Sequence, residues 1–132
     1  MGFETARDGA GFRLSFQGIA ISDEVRRGFE ALRDGGLGDE TPYVLVDFSE
    51  AESIEMSIED HHRLHLVLRT MFSKGPDFRV ALVAASDRVR SQLSETIAVR
   101  DLMTGRSSEE LPTIGFFESV DDARPWARSP DG

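Results

Sequence analysis

The stretch Tyr43-Val44-Leu45-Val46-Asp47-Phe48-Ser49-Glu50 decides the fold. Four apolar residues in a row, ending in an acid, predict a central strand over Val44 to Phe48. Such a strand is apolar on both faces because it is covered on both sides or paired in parallel. A short polar link, Ala51 to Met56, follows, and Ser57-Ile58-Glu59-Asp60 then opens a helical pattern. Ser57 and Asp60 have the S-x-x-[DE] spacing of a capping box. Leu64, Val67, Leu68, Met71 and Phe72 supply the apolar stripe of a helix over 57–72, and Lys74-Gly75-Pro76 stops it. Strand, turn and helix N-terminus in this order form the unit on which α/β proteins place working sites.

Working outward, Phe12, Leu14 and Phe16 alternate with Arg13, Ser15 and Gln17, the pattern of a half-buried strand that Gly18 ends. Phe3 to Ala6 adds an edge strand, turning at Asp8-Gly9. Ser22 is the expected N-cap of a helix carrying Val25, Phe29 and Leu32, closed by Asp34-Gly35-Gly36. Phe78 to Ala85 is another apolar strand. Ser86 or Asp87 caps a helix whose stripe, Val89, Leu93 and Ile97, is thin, so that helix should lie partly exposed. Thr113 to Glu118 is the last strand. Ser119-Val120-Asp121-Asp122 is a second capping box, and Pro125 shortens or kinks the helix behind it. The order β-β-α-β-α-β-α-β-α predicts an α/β fold: a mixed, mostly parallel sheet of about five strands with about four helices in one covered layer. Residues 1–128 form one domain on this reading, with a frayed tail over 129–132.

Composition narrows the function. The 132 residues suffice for one core without staples, and nine Phe argue against disorder. There is no cysteine, which removes disulfides and thiolate chemistry and fits a reducing cytoplasm. A formal charge of −9 disfavours nucleic acid. No secretory signal or membrane-length apolar run is present.

The residues quoted above, in their order, resemble the STAS domain family, the anti-sigma-factor antagonists and their relatives, and more closely the SpoIIAA-like branch. The resemblance runs from Phe12 to Trp126. It rests on Gly18-Ile19-Ala20, Val44 to Ser49, Phe78-Arg79-Val80-Ala81-Leu82-Val83, and Phe116-Phe117-Glu118-Ser119-Val120-Asp121-Asp122-Ala123. It implies a regulatory, non-catalytic module that binds a protein partner. In phosphorylated members an Asp-Ser pair stands at the strand-to-helix turn, where the helix N-terminus tolerates a phosphate whose charge alters the partner surface. Here Glu55-Met56 occupies that place, and Met56 accepts no phosphate. Ser57, one residue on, serves only if the register slips. Asp47, Ser53, Glu55, Met56 and Ser57 are therefore the partner-surface candidates.

Other chemistry is thinner. His61 and His65 share a helix face and could hold a metal through two imidazoles, with Asp60, Glu55 or Glu59 as a third ligand, which gives a metal-dependent enzyme centred on this pair as a further alternative. The sequence lacks the glutamate of a metalloprotease motif, so part-buried and surface histidines are the plainer account. No nucleophile–base set, phosphate loop or dinucleotide fingerprint is visible, and no cofactor is implied. A small apolar ligand or lipid, lined by Phe together with Met56, Met71 and Met103, is the alternative to protein binding. Asp47 reads either as a site acid or as an acceptor for N–H groups of the next turn. Ala98, Val99, Leu102 and Met103 widen the apolar surface of the helix after Ser86, which predicts a homodimer.

Overall fold

The computed structural model describes residues 3–35, 41–55, 57, 59–60, 77–104 and 112–128. The strands are β1 (Phe3–Asp8), β2 (Gly11–Ile21), β3 (Tyr43–Glu55), β4 (Arg79–Val83) and β5 (Thr113–Phe117). The helices among the described residues are α1 (Ser22–Asp34), α2 (Asp87–Thr104) and α3 (Val120–Arg128). The expected helix over 57–72 lies mostly outside the described residues, as does the expected tail over 129–132. The sheet order is β1-β2-β3-β4-β5, with β1 antiparallel to β2 and every later pair parallel. β3 and β4 are interior strands, as their unbroken apolar runs predict.

A sequential parallel order has a consequence for the helices. Right-handed crossovers that all step in one direction place their helices on one face of the sheet. α1 and α2 do share a face. Val25, Phe29 and Leu32 of α1 and Val89 and Leu93 of α2 join Phe12, Leu14, Phe16, Val44, Val46, Phe48, Val80 and Leu82 in one core. Phe16 and Phe48 stack within it, ring centroids 4.9 Å apart. The opposite face carries a smaller core in which Ala123 and Ala127 of α3 pack on Tyr43, Leu45, Ala81 and Val83. Toward β1 and β2 that face is polar, with Glu4 and Gln17 exposed. The alternation along Phe12 to Gln17 reflects this one-sided cover.

Local signals act largely as read. The hairpin turns at Gly9, whose φ of 59° is the left-handed conformation glycine adopts without penalty. The Ser86 hydroxyl accepts the Val89 N–H at 3.3 Å, and the Ser119 hydroxyl accepts the Asp122 N–H at 3.2 Å. Pro125 sits inside the nine-residue α3, a helix as short as that proline suggests.

Three expectations are corrected: the link from Ala51, the strand end at Gly18 and the N-cap at Ser22. The segment from Ala51 is not a link, because β3 continues to Glu55. β2 does not end at Gly18 but runs on to Ile21 as its parallel partner. α1 therefore starts directly at Ser22, with Ile21, in extended conformation, in the N-cap position expected of Ser22. The physical reason is a pair of bulges. Ser15 faces Asp47 but Gln17 faces Glu50, and Gly18 faces Ala51 but Ile19 faces Ser53. Each shift inserts a residue on β3 and resets which side chains face the core. Gly18, with φ 66°, sits at the second shift. A simple period of two is thereby lost, although Ala20 and Ile54 remain buried.

Candidate functional site

β4 meets β3 only as far as the Asp47–Val83 pair. β1 covers β2 only from Gly11 to Phe16. Past those points β2 and β3 continue as a two-stranded ribbon that leads from the sheet to the helix start at Ser57. The candidate surface is this ribbon and its rim.

At the base of the ribbon, Asp47 Oδ1 accepts the Ser49 N–H at 2.9 Å. That bond satisfies a backbone donor at the first bulge, so Asp47 has the N–H-accepting role foreseen for an acid at a strand-to-turn junction. The Gln17 side-chain amide donates to Glu50 Oε2 at 2.9 Å and ties the strands across the same bulge. Higher up, the Ile54 N–H donates to Gln92 Oε1 at 2.7 Å, which fastens the ribbon to α2. This backbone donor, beyond the reach of β4, is satisfied by a helix side chain.

The five proposed surface residues separate. Ser53 is only 4% exposed. That burial takes it out of the contact surface, which corrects the expectation. Asp47 is half-buried, while Glu55 and Ser57 are exposed. Met56 lies outside the described residues. Ser57 and Asp60 form the reciprocal capping box: the Asp60 N–H donates to Ser57 Oγ at 3.2 Å, and the Ser57 N–H donates to Asp60 Oδ2 at 3.0 Å. The box thus meets two backbone donors at the helix start with side chains.

Sequence reasoning missed two side chains here. Ile19 and Ile21 are the exposed large hydrophobics of the described residues, 47% and 46% accessible. They lie two apart on β2, opposite Ser53 and Glu55. The signal was present in the alternation Gln17, Ile19, Ile21, but Gly18 hid it by looking like a strand end.

The other end of the sheet carries a buried ionic cluster with no local sequence signal. Asp8, 5% exposed, pairs through Oδ2 with Arg124 Nε at 3.0 Å and through Oδ1 with an Arg128 Nη at 2.6 Å. The Tyr43 hydroxyl donates to the Asp8 carbonyl oxygen and lies 3.1 Å from Oδ1, while Arg128 Nε donates to that hydroxyl at 3.0 Å. Burial alone would push the Asp8 carboxyl up. Hydrogen bonds from Arg124 and Arg128, the Arg124 charge and the Tyr43 hydroxyl outweigh it and hold the group below the usual carboxylate range. Gly11 lies against the same tyrosine, where a Cβ would come within 2.5 Å of the Tyr43 carbonyl oxygen. Arg79 adds a donor to the Trp126 carbonyl oxygen and sits 5.3 Å from the indole centroid. These contacts clamp the hairpin, β3 and α3 together.

His61 and His65, the candidate metal pair, lie outside the described residues. Among the described residues no three His, Asp or Glu side chains are grouped to hold a metal ion. No described helix is long and apolar enough to cross a membrane. The side chains of Ile97, Val99, Leu102 and Met103, on which the dimer expectation rests, also lie outside the described residues; Ala98 is exposed.

No family model and no curated protein matches the chain. Solved structures do. A protein of the DUF3478 family with a SpoIIAA-like fold, from Shewanella loihica PV-4, is 18% identical with a TM-score of 0.58, over 95% of this chain and 91% of that one. An anti-sigma factor antagonist from Mycobacterium paratuberculosis is 14% identical with a TM-score of 0.63, over 96% and 93%. The likeness spans nearly the whole of each chain.

Proposed function

We propose that this SpoIIAA-like domain is a non-catalytic regulatory module that binds a protein partner through the rim from Glu55 to Ser57 and does not take up phosphate there. The observation that carries the reading is the reciprocal box at the helix start. Met56 stands in the acceptor place, and the nearest hydroxyl, Ser57, is engaged with the Asp60 N–H while the Asp60 carboxylate accepts in return. A helix N-terminus stabilises one nearby anion through its free N–H groups and dipole. Asp60 already fills that role. A phosphate on Ser57 would break the box and crowd a second anion into the same turn, a net cost in place of the gain on which a phosphoswitch depends. Exposed Glu55 supplies a standing negative charge beside it.

Binding to an anti-sigma-type kinase, with and without ATP, tests the reading. The expected result is a complex that forms equally in both conditions, with the intact mass of this chain unchanged. Glu55→Lys should weaken that complex by about tenfold or more, since reversing a rim charge turns attraction into repulsion. One phosphate on Ser57, or release of the complex by ATP, would overturn the proposal.

A further inference from the structure

We infer that the outer edge of β2 at Ile19 to Ile21 is a docking edge for an extended, basic and aliphatic segment of the partner, which adds to the sheet as a further strand. The inference rests on the protein-binding reading above and names the chemistry of what is bound. β1 begins at Phe3, opposite Phe16, so among the described residues no strand covers β2 from Gln17 onward. An uncovered edge offers backbone N–H and C=O groups to any strand that can reach them. Natural edges are guarded by lysine, proline or inward-pointing charge. This one instead presents Ile19 and Ile21, each nearly half exposed. The bulge at Gly18 interrupts the ladder below them and limits the usable edge to the last three residues of β2.

Charge selects the occupant. Glu50, Glu52 and Glu55 are exposed on the neighbouring strand, and no ion pair among the described residues neutralises them. Glu55 faces Ile21 directly in the register. Asp23, just beyond, is partly met by Arg26 at 3.5 Å. A second copy of this chain would bring a formal charge of −9 and its own rim of glutamates against the first, which disfavours a symmetric edge-to-edge pair. A strand with aliphatic side chains on one face and Lys or Arg flanking them satisfies the backbone, the isoleucines and the carboxylates together.

The probe is a short extended peptide with valines at two alternate positions, lysines at the next alternate positions on either side and serines between, so that lysines and valines share one face; it is titrated into the full chain while amide shifts are followed by NMR. Controls are a glutamate–valine peptide and a lysine–valine peptide interrupted by proline, which cannot extend a ladder. The expected result is binding of the first peptide alone, with shifts centred on Ile19 to Ile21. The Ile19→Ser and Ile21→Ser double variant, its fold checked by circular dichroism, should lose at least about tenfold in affinity. No binding, binding that the double variant or proline leaves intact, or shifts centred elsewhere would overturn the inference. So would sedimentation showing a dimer that buries Ile19 and Ile21. If the peptide fails while kinase binding still depends on Glu55, the strand-addition inference falls and the partner-binding reading stands. If the peptide binds at Ile19 to Ile21 and the kinase complex does not form, the kinase-type partner falls instead.

Discussion

Leu45→Ala should destabilise the protein by about 3–4 kcal/mol, in the upper part of the range for leucine truncation in cores. Leu45 is fully buried and lies between Arg13 of β2 and Ala81 of β4 in the register. Its side chain fills the smaller core under α3, where the neighbours Ala81, Ala123 and Ala127 are too short to close a hole. The cost of such a deletion grows with the cavity left behind. The flanking rings of Phe117 and Trp126, 5.3 Å apart, are held by each other and by the Arg79 contact, so they too have little freedom to move in. Urea unfolding followed by tryptophan fluorescence measures the effect, because Trp126 reports on this core. A loss below about 1 kcal/mol would mean that α3 does not pack as described.

Asp8→Asn should cost about 2 kcal/mol at neutral pH. Breaking a buried ion pair by removing one partner costs more when both charges are buried. Here Arg124 and Arg128 are 34% and 50% exposed and keep much of their hydration, so the figure is discounted. The pH dependence has a definite sign. The folded carboxyl titrates below its unfolded value, so its stabilisation is present above about pH 4 and is lost as pH falls through the lower folded value. The wild-type advantage over Asp8→Asn should therefore shrink on acidification below pH 4. A difference that stays constant from neutral pH to about pH 2 would show that the pair contributes through packing and not through its charge.

The parts of the fold legible in the sequence are those written in local patterns. Val44 to Val46 and Val80 to Val83 read as the cores of interior strands because their residues are apolar on both faces. Ser57, Ser86 and Ser119 read as caps because their spacing to the next turn is chemically specific. The ribbon was hidden for an equally physical reason. Ala51-Glu52-Ser53-Ile54-Glu55 has the composition of a link, and it is held as a strand by its parallel partner, by two bulges and by Gln92 from a helix 38 residues away. Ser53 reads as surface by its position beside the expected Asp-Ser turn, whereas its side chain is buried. The clamp at the opposite end joins Asp8 to residues 35 and 120 positions on, distances across which no periodicity speaks. Ile19 and Ile21 show the same effect at the site. A glycine that usually ends a strand here only bends it, and the exposed large hydrophobics of the described residues lie just beyond.

Amide hydrogen exchange on the chain alone and in complex with its partner tests most directly the claim that the ribbon and its rim form the working surface. Slowed exchange at Gln17 to Ile21 and at Ala51 to Ser57, with no change around Asp8 and Tyr43, is the predicted result. Protection confined to the Asp8 end of the sheet, or no protection along the ribbon in a formed complex, would contradict it.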